Sequence, residues 1–230
     1  METMTKNNKV KKENNTGLLI PVLVLLNLLA PVVFFWLMWP SIQCSINVQW
    51  KPIIYVYPTE DTDVTIKLSN PENLTTTYPK YNNEWKVKAL TDGTLIDHNN
   101  KKYYALYWES ESNKKNDLKE DGFVVKGEDI ASFLEEKLEI LGLNYKESNE
   151  FIMYWLPRLE KNKYNYIRFQ TMDEINSDME LDINPKPDTL IRVRMEYTGL
   201  DKKIKVKEQK LTKVERQGYT VVEWGGTNIN

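Results

Sequence analysis

The chain has 230 residues, enough for one domain of ordinary size with appendages. Its 41% hydrophobic and 28% charged content is that of a folded globular protein. Basic and acidic residues number 31 and 33, for a net charge of −2, and the basic residues are spread out, which argues against a nucleic-acid partner. Cys44 is the only cysteine and His98 the only histidine, so an intrachain disulfide and a zinc site of His and Cys are both excluded by count. The 26 lysines, 5 arginines and 22 asparagines read as the codon bias of an AT-rich genome, not as a demand of the fold.

Residues 1–16 form a polar tail carrying Lys6, Lys9, Lys11 and Lys12. Gly17 to Trp39 then runs without a charge, and Asn27 is its only strongly polar side chain. A helix of that length rises roughly 35 Å and would cross a hydrocarbon core of about 30 Å. Pro21 and Pro31 are tolerated in such spans, and Trp36 and Trp39 suit the interface. The next basic residue after the span is Lys51, so the charge asymmetry places the N-terminus in the cytoplasm and the rest outside or in a lumen. The run is long for a cleaved signal peptide, and Ser41-Ile42-Gln43 before Cys44 is a poor lipoprotein signal, so an uncleaved single-pass anchor in the lipid bilayer is predicted. Asn27 and Cys44 are the residues through which two copies would pair, by an interhelical hydrogen bond or an interchain disulfide. Outside the membrane, Asn73-Leu74-Thr75 is a glycosylation sequon.

Residues 40–50 read as a polar stalk and 51–226 as one soluble domain, with a short tail at 227–230. Pro52 to Pro58 is a β-branched and aromatic run, a strand signal. Val64, Ile66 and Leu68 alternate with polar residues, as do Trp85, Val87 and Ala89, predicting two half-buried strands. Thr91 to Thr94 is a turn, Lys102 to Trp108 a hairpin partner, and residues 110–121 a mobile polar loop. Ile130, Phe133, Leu134, Leu138 and Leu141 form a helical stripe between Asp129 as N-cap and Gly142 as stop. A second helix starts at Asn144, with Glu147 completing a capping box, and Pro157 is expected to kink or end it. Tyr164 to Phe169 returns to strand. Ile191, Val193 and Met195 alternate with Arg192, Arg194 and Glu196, which reads as a strand with one buried face. Ile204 and Val206 continue in that style, and Gly218 to Trp224 closes the domain as a strand. The order predicts an α+β fold, mainly antiparallel sheet with a two-helix insertion.

Lys51-Pro52-Ile53-Ile54-Tyr55-Val56-Tyr57-Pro58 resembles the opening of a widespread family of uncharacterised bacterial extracytoplasmic domains. Thr77 to Asn82, Tyr107-Trp108-Glu109, Tyr154 to Pro157, Pro185 to Thr189 and Val221 to Gly226 continue the likeness across the domain. The resemblance implies one complete domain outside the cytoplasm and supplies no reaction. The Asn, Lys and Ile bias would equally suit a membrane protein of a large DNA virus.

No catalytic elbow, calcium loop or phosphate cradle stands in the sequence, and no cofactor is expected. His98 sits in a polar turn. Asp173, Glu174, Asp178 and Glu180 read as a solvated acidic loop. The remaining candidates are aromatic residues beside acids, Trp108-Glu109 and Glu223-Trp224, where indole faces would stack on sugar rings and carboxylates would accept hydroxyl hydrogen bonds. In strands adjacent side chains point to opposite faces, so the competing expectation is tryptophans in the core and glutamates in water. The sequence thus predicts a non-enzymatic ectodomain with a glycan or protein ligand, and as the alternative a glycan hydrolase using paired carboxylates.

Overall fold

A computed structural model of the protein describes residues 47–112 and 117–229. The span expected at Gly17–Trp39, its lysine-rich flank, Asn27, Cys44 and four residues of the expected loop at 110–121 lie outside the described residues. Among those described, no helix is long and apolar enough to cross a membrane.

The strands are β1 (Asn47–Tyr57), β2 (Thr62–Leu68), β3 (Leu74–Tyr78), β4 (Trp85–Ala89), β5 (Leu95–Ile96), β6 (Lys102–Tyr103), β7 (Leu106–Ser112), β8 (Asp121–Lys126), β9 (Tyr164–Phe169), β10 (Leu181–Asn184), β11 (Thr189–Leu200), β12 (Lys207–Glu208) and β13 (Thr220–Asn228). The helices are α1 (Ile130–Ile140), α2 (Tyr145–Leu159) and α3 (Met172–Asp178). Eight strands form a large sheet in the order β12-β8-β9-β11-β13-β1-β7-β3, and five form a smaller one in the order β10-β2-β4-β5-β6. Pairing is antiparallel except for β11 with β13 and β8 with β12. The expected α+β class with a mainly antiparallel sheet therefore holds, with a second sheet and a third helix added.

Period-2 alternation explains how one sheet serves two cores. On β1, Ile53 and Tyr55 point toward α1 and α2, while Ile54 and Val56 point toward the small sheet, and all four are buried. On β13, Val222 and Trp224 face the helices and Val221 faces the small sheet. Leu134 and Leu138 of α1 with Phe151, Trp155 and Leu159 of α2 close the first core. Trp85, Val87, Ile66 and Trp108 fill the second. The unit Ser45–Asn230 is compact and contains both cores.

The helix boundaries follow local chemistry. Gly142, at φ +86°, ends α1 in a Schellman motif, with Leu143 N–H donating to Leu138 O and Gly142 N–H to Glu139 O. The Asn144 side chain accepts from the backbone N–H of Lys146 and Glu147, and the Glu147 carboxylate accepts from Asn144 N–H. That capping box is buried at Glu147, which also pairs with Arg216. Asp129 occupies the cap position of α1 without a side-chain capping bond.

Several expectations are corrected. α2 continues through Pro157 to Leu159; Pro157 and Met153 are both exposed, so the carbonyl that loses its partner at the proline lies on the solvent side. Lys102 to Trp108 is not one strand: β6 belongs to the small sheet and β7 to the large one, with a break at Tyr104-Ala105. Ile204 and Val206 are not in a strand, and only Lys207–Glu208 pairs, parallel to β8. β1 begins at Asn47, inside the expected stalk. The stretch read as an acidic loop forms α3, whose Thr171 cap reciprocates with Glu174. Most consequentially, β11 is buried on both faces from Ile191 to Thr198, because α3 and the ion pairs described below cover the charged side.

Tyr219 is buried and, among the described residues, its hydroxyl has no hydrogen-bond partner. A buried hydroxyl without a partner carries its desolvation cost uncompensated. Tyr219→Phe should therefore leave the urea midpoint unchanged or raise it, whereas truncation of a satisfied tyrosine lowers it.

Candidate functional site

The four residues singled out by sequence divide between two faces. Trp108 and Glu223 meet between the sheets, where indole Nε1 donates to Glu223 Oε1 at 2.9 Å. Arg192 places Nε at 2.7 Å and Nη2 at 2.6 Å from the other carboxylate oxygen, and its Nη1 donates to Asn176 Oδ1 and Met179 O. Glu223 is thus buried, contrary to its expected place in water. Next to it Arg194 pairs with Asp178 at 3.4 Å and lies 5.9 Å from the Trp108 ring centroid, while Arg168 gathers Asp121, Glu174 and Glu196. This belt is a bolt between layers. Its acids are held by guanidinium groups, and the belt lies between the large sheet and α3.

Trp224 points the other way, into the helix-side core, as strand alternation requires. Glu109 is half-buried on that same side, separated from Glu223 by the sheet. The geometry thus brings Trp108 and Glu223 together and keeps Glu109 away from them. Asn73 is exposed in a short 3-10 turn (Pro71–Asn73) before β3. His98 is exposed in its expected turn. Glu174 and Asp178 are taken up by Arg168 and Arg194, and among the described residues no cluster of three or more His, Cys, Asp or Glu could hold a metal.

The helices leave part of the large sheet uncovered at its β1–β7–β3 end. There the register sets Tyr78 opposite Tyr107 and Tyr107 opposite Ile53. These residues, with Thr94, Lys102, Tyr103, Tyr104 and Ala105, line a groove of about 450 Å³. Tyr104 is 65% exposed and Tyr78 55%, unusual for large aromatic side chains. Tyr78 meets Tyr103 edge to face at 5.6 Å, and Tyr104 lies 6.3 Å from Tyr55. Lys101 sits over both Tyr78 and Tyr103.

Two carboxylates and a lysine border this shelf. Tyr55 donates its hydroxyl to Glu150 Oε2 on α2 at 2.8 Å. Lys51, at φ +52°, forms a bulge in β1 between Trp50 and Ile53, and its N–H donates to Glu109 Oε1 at 3.4 Å. Pro52 has no N–H to give to a ladder, and Gly225 opposite leaves the room a Cβ would take from Pro52. The Lys51 ammonium lies 4.7 Å from the Tyr154 ring centroid, and burial holds its pKa below the ordinary value.

Burial, and then Glu150 for Tyr55, Glu147 for Tyr57 and Glu109 for Tyr107, pushes these three phenols above their ordinary range. Burial alone pushes Tyr219 up to about 12. A phenol raised in the folded state adds stability that is complete below its unfolded value near pH 10 and is lost above it. Burial lowers Lys51 and Arg194, which act in the opposite sense. With Tyr103, Tyr104, Tyr154, Tyr166 and Tyr197 also raised, nine phenols stand against these two cations, so stability should fall between pH 10 and 12; Tyr219→Phe should flatten that slope in pH-dependent urea titrations, and an unchanged slope would contradict the assignment.

Sequence reasoning missed Tyr78, Tyr103, Tyr104, Tyr107 and Glu150. The available signal was the concentration of tyrosines within a count of 13, especially the Tyr103-Tyr104 pair, where an alternating strand cannot bury both rings on one face. Compared with known proteins, the chain matches no family model, no curated protein and no solved structure.

Proposed function

We propose that the chain is a single-pass membrane protein whose extracytoplasmic domain binds glycan at the tyrosine shelf, at a cell or virion surface and without catalysis. The anchor and its orientation rest on the uncharged run Gly17–Trp39 and the lysines before it. The likeness to extracytoplasmic bacterial domains supports the same side of the membrane. The observation that carries the binding reading is the groove itself, with two tyrosines more than half exposed and their rings fixed by neighbouring tyrosines. Such rings offer flat apolar faces with a polar tip, at little cost in side-chain ordering. Glu150, Glu109 and Lys102 supply the few polar groups a sugar needs for orientation. Pairing of two copies through Asn27 or Cys44 would add avidity on a repetitive glycan surface.

The test is thermal unfolding of the unit Ser45–Asn230 against a glycan panel. A ligand at 100 times its Kd adds about 2.7 kcal/mol and raises the midpoint visibly. A protein partner at the same shelf is the outcome to expect if no glycan moves the midpoint. Hydrolysis through Glu109 and Glu223 is not supported, because the sheet separates them; a hydrolase reading would have to use Glu109 with Glu150, and Glu150→Gln would then abolish turnover.

A further inference from the structure

A second surface carries a different chemistry. Between β11 and β13 the chain runs through residues 201–217 with only the two residues of β12 in a strand. Against the expectation of spread-out basic residues, this strap holds seven basic and three acidic residues, a net +4 in a chain whose net charge is −2. It is fastened at its far end, where Val214 N–H donates to Ile140 O and Arg216 pairs with the buried Glu147. At its near end exposure alternates: Lys203, Lys205 and Lys207 are exposed, Ile204 and Val206 half-buried. In extended chain that alternation spaces the lysines about 6.6 Å apart.

Among the described residues, none of these three lysines has a carboxylate within ion-pair distance. The contrast is the lysine row on the small sheet, Lys67, Lys86 and Lys88, where Glu84 and Asp61 neutralise every member. A cavity of about 440 Å³ runs beside the strap row, with Lys203 and Lys205 in its wall and Phe123 and Phe133 among its apolar lining.

We propose that the strap row binds a linear anionic polysaccharide, bearing sulfate, phosphate or carboxylate groups, laid along Lys203, Lys205 and Lys207. A row one lysine wide suits a thread more than a plane. The net negative charge of the remaining chain repels an anionic plane and leaves the strap as the attractive strip. This proposal does not depend on the tyrosine shelf.

The probe is fluorescent heparin, titrated by anisotropy into the unit Ser45–Asn230. Wild type should bind, with affinity falling steeply as salt rises. The triple variant Lys203→Gln, Lys205→Gln, Lys207→Gln should bind roughly tenfold to a hundredfold more weakly. The variant Lys67→Gln, Lys86→Gln, Lys88→Gln removes the same charge from the paired row and should bind as wild type does. Unlabelled polyphosphate should compete and uncharged dextran should not. Equal weakening by both triple variants would overturn the proposal, as that is an effect of net charge. Binding to vesicles containing anionic lipid without binding to heparin would overturn it in favour of a membrane surface. A melting midpoint within a degree of wild type confirms that each variant is folded, since all six lysines are exposed.

Discussion

Arg192→Ala should cost roughly 3–5 kcal/mol of stability, a large share of the 5–15 kcal/mol typical of a domain. The reason is what stays behind. Glu223 is 3% exposed, and its Oε2 would lose both nitrogens that hold it. Among the described residues, the one remaining donor is Trp108 Nε1 on the other oxygen. Asn176 and Met179 O would lose their partner as well, loosening α3 and the turn into β10 from the large sheet. Adding Glu223→Gln should recover part of the loss, because an amide is cheaper to bury than an uncompensated carboxylate. Equilibrium urea unfolding of the single and double variants measures this; additive losses would show that the two groups are not coupled.

Trp155→Ala should cost a similar 3–5 kcal/mol by a different route. Its ring is fully buried in the helix-side core and meets Phe151, Tyr154 and Tyr197. It joins α2 to β11, so the cavity left behind opens between layers and cannot close by a side-chain rotation. Its Nε1 has no partner among the described residues, so Trp155→Phe should lose far less than Trp155→Ala. Equal losses for the two would place the effect in the ring's shape and not in buried volume.

These two predictions mark where the sequence was legible and where it was not. Periodicity located the strands and helices well: Val64, Ile66 and Leu68, the α1 stripe and the Asn144–Glu147 box all stand where the spacing puts them. Those signals are local, and the local environment decides them. Arg192, Arg194 and Glu196 misled because alternation reports that two faces differ, not that the polar one meets water. Only the tertiary pairing of β11 with β13, and of α3 over both, shows that charge is buried there and answered by charge. Glu223 misled for the same reason. The break of Lys102–Trp108 between two sheets was hidden because its residues keep strand propensity through the switch.

The shelf was illegible for a related reason. Tyr78, Tyr104 and Tyr107 come from the edge strand β3, the link between sheets and the inner strand β7, and nothing in their spacing says that register aligns them. What the sequence did contain, aromatic residues beside acids, pointed to Trp108 and Glu223, which the fold buries against each other. Trp108 is a fully buried structural donor, while the exposed Tyr104 before it lies beside Glu150 and the half-buried Tyr107 beside Glu109.

The measurement that bears most directly on the account is the ligand-induced midpoint shift of Tyr78→Ala with Tyr104→Ala, set beside wild type in the same glycan panel. Both rings are more than half exposed, so their truncation should leave the unliganded midpoint nearly unchanged. The account predicts that a glycan which raises the wild-type midpoint no longer does so in the double variant. An undiminished shift would place the glycan elsewhere on the domain and contradict the shelf as its binding site.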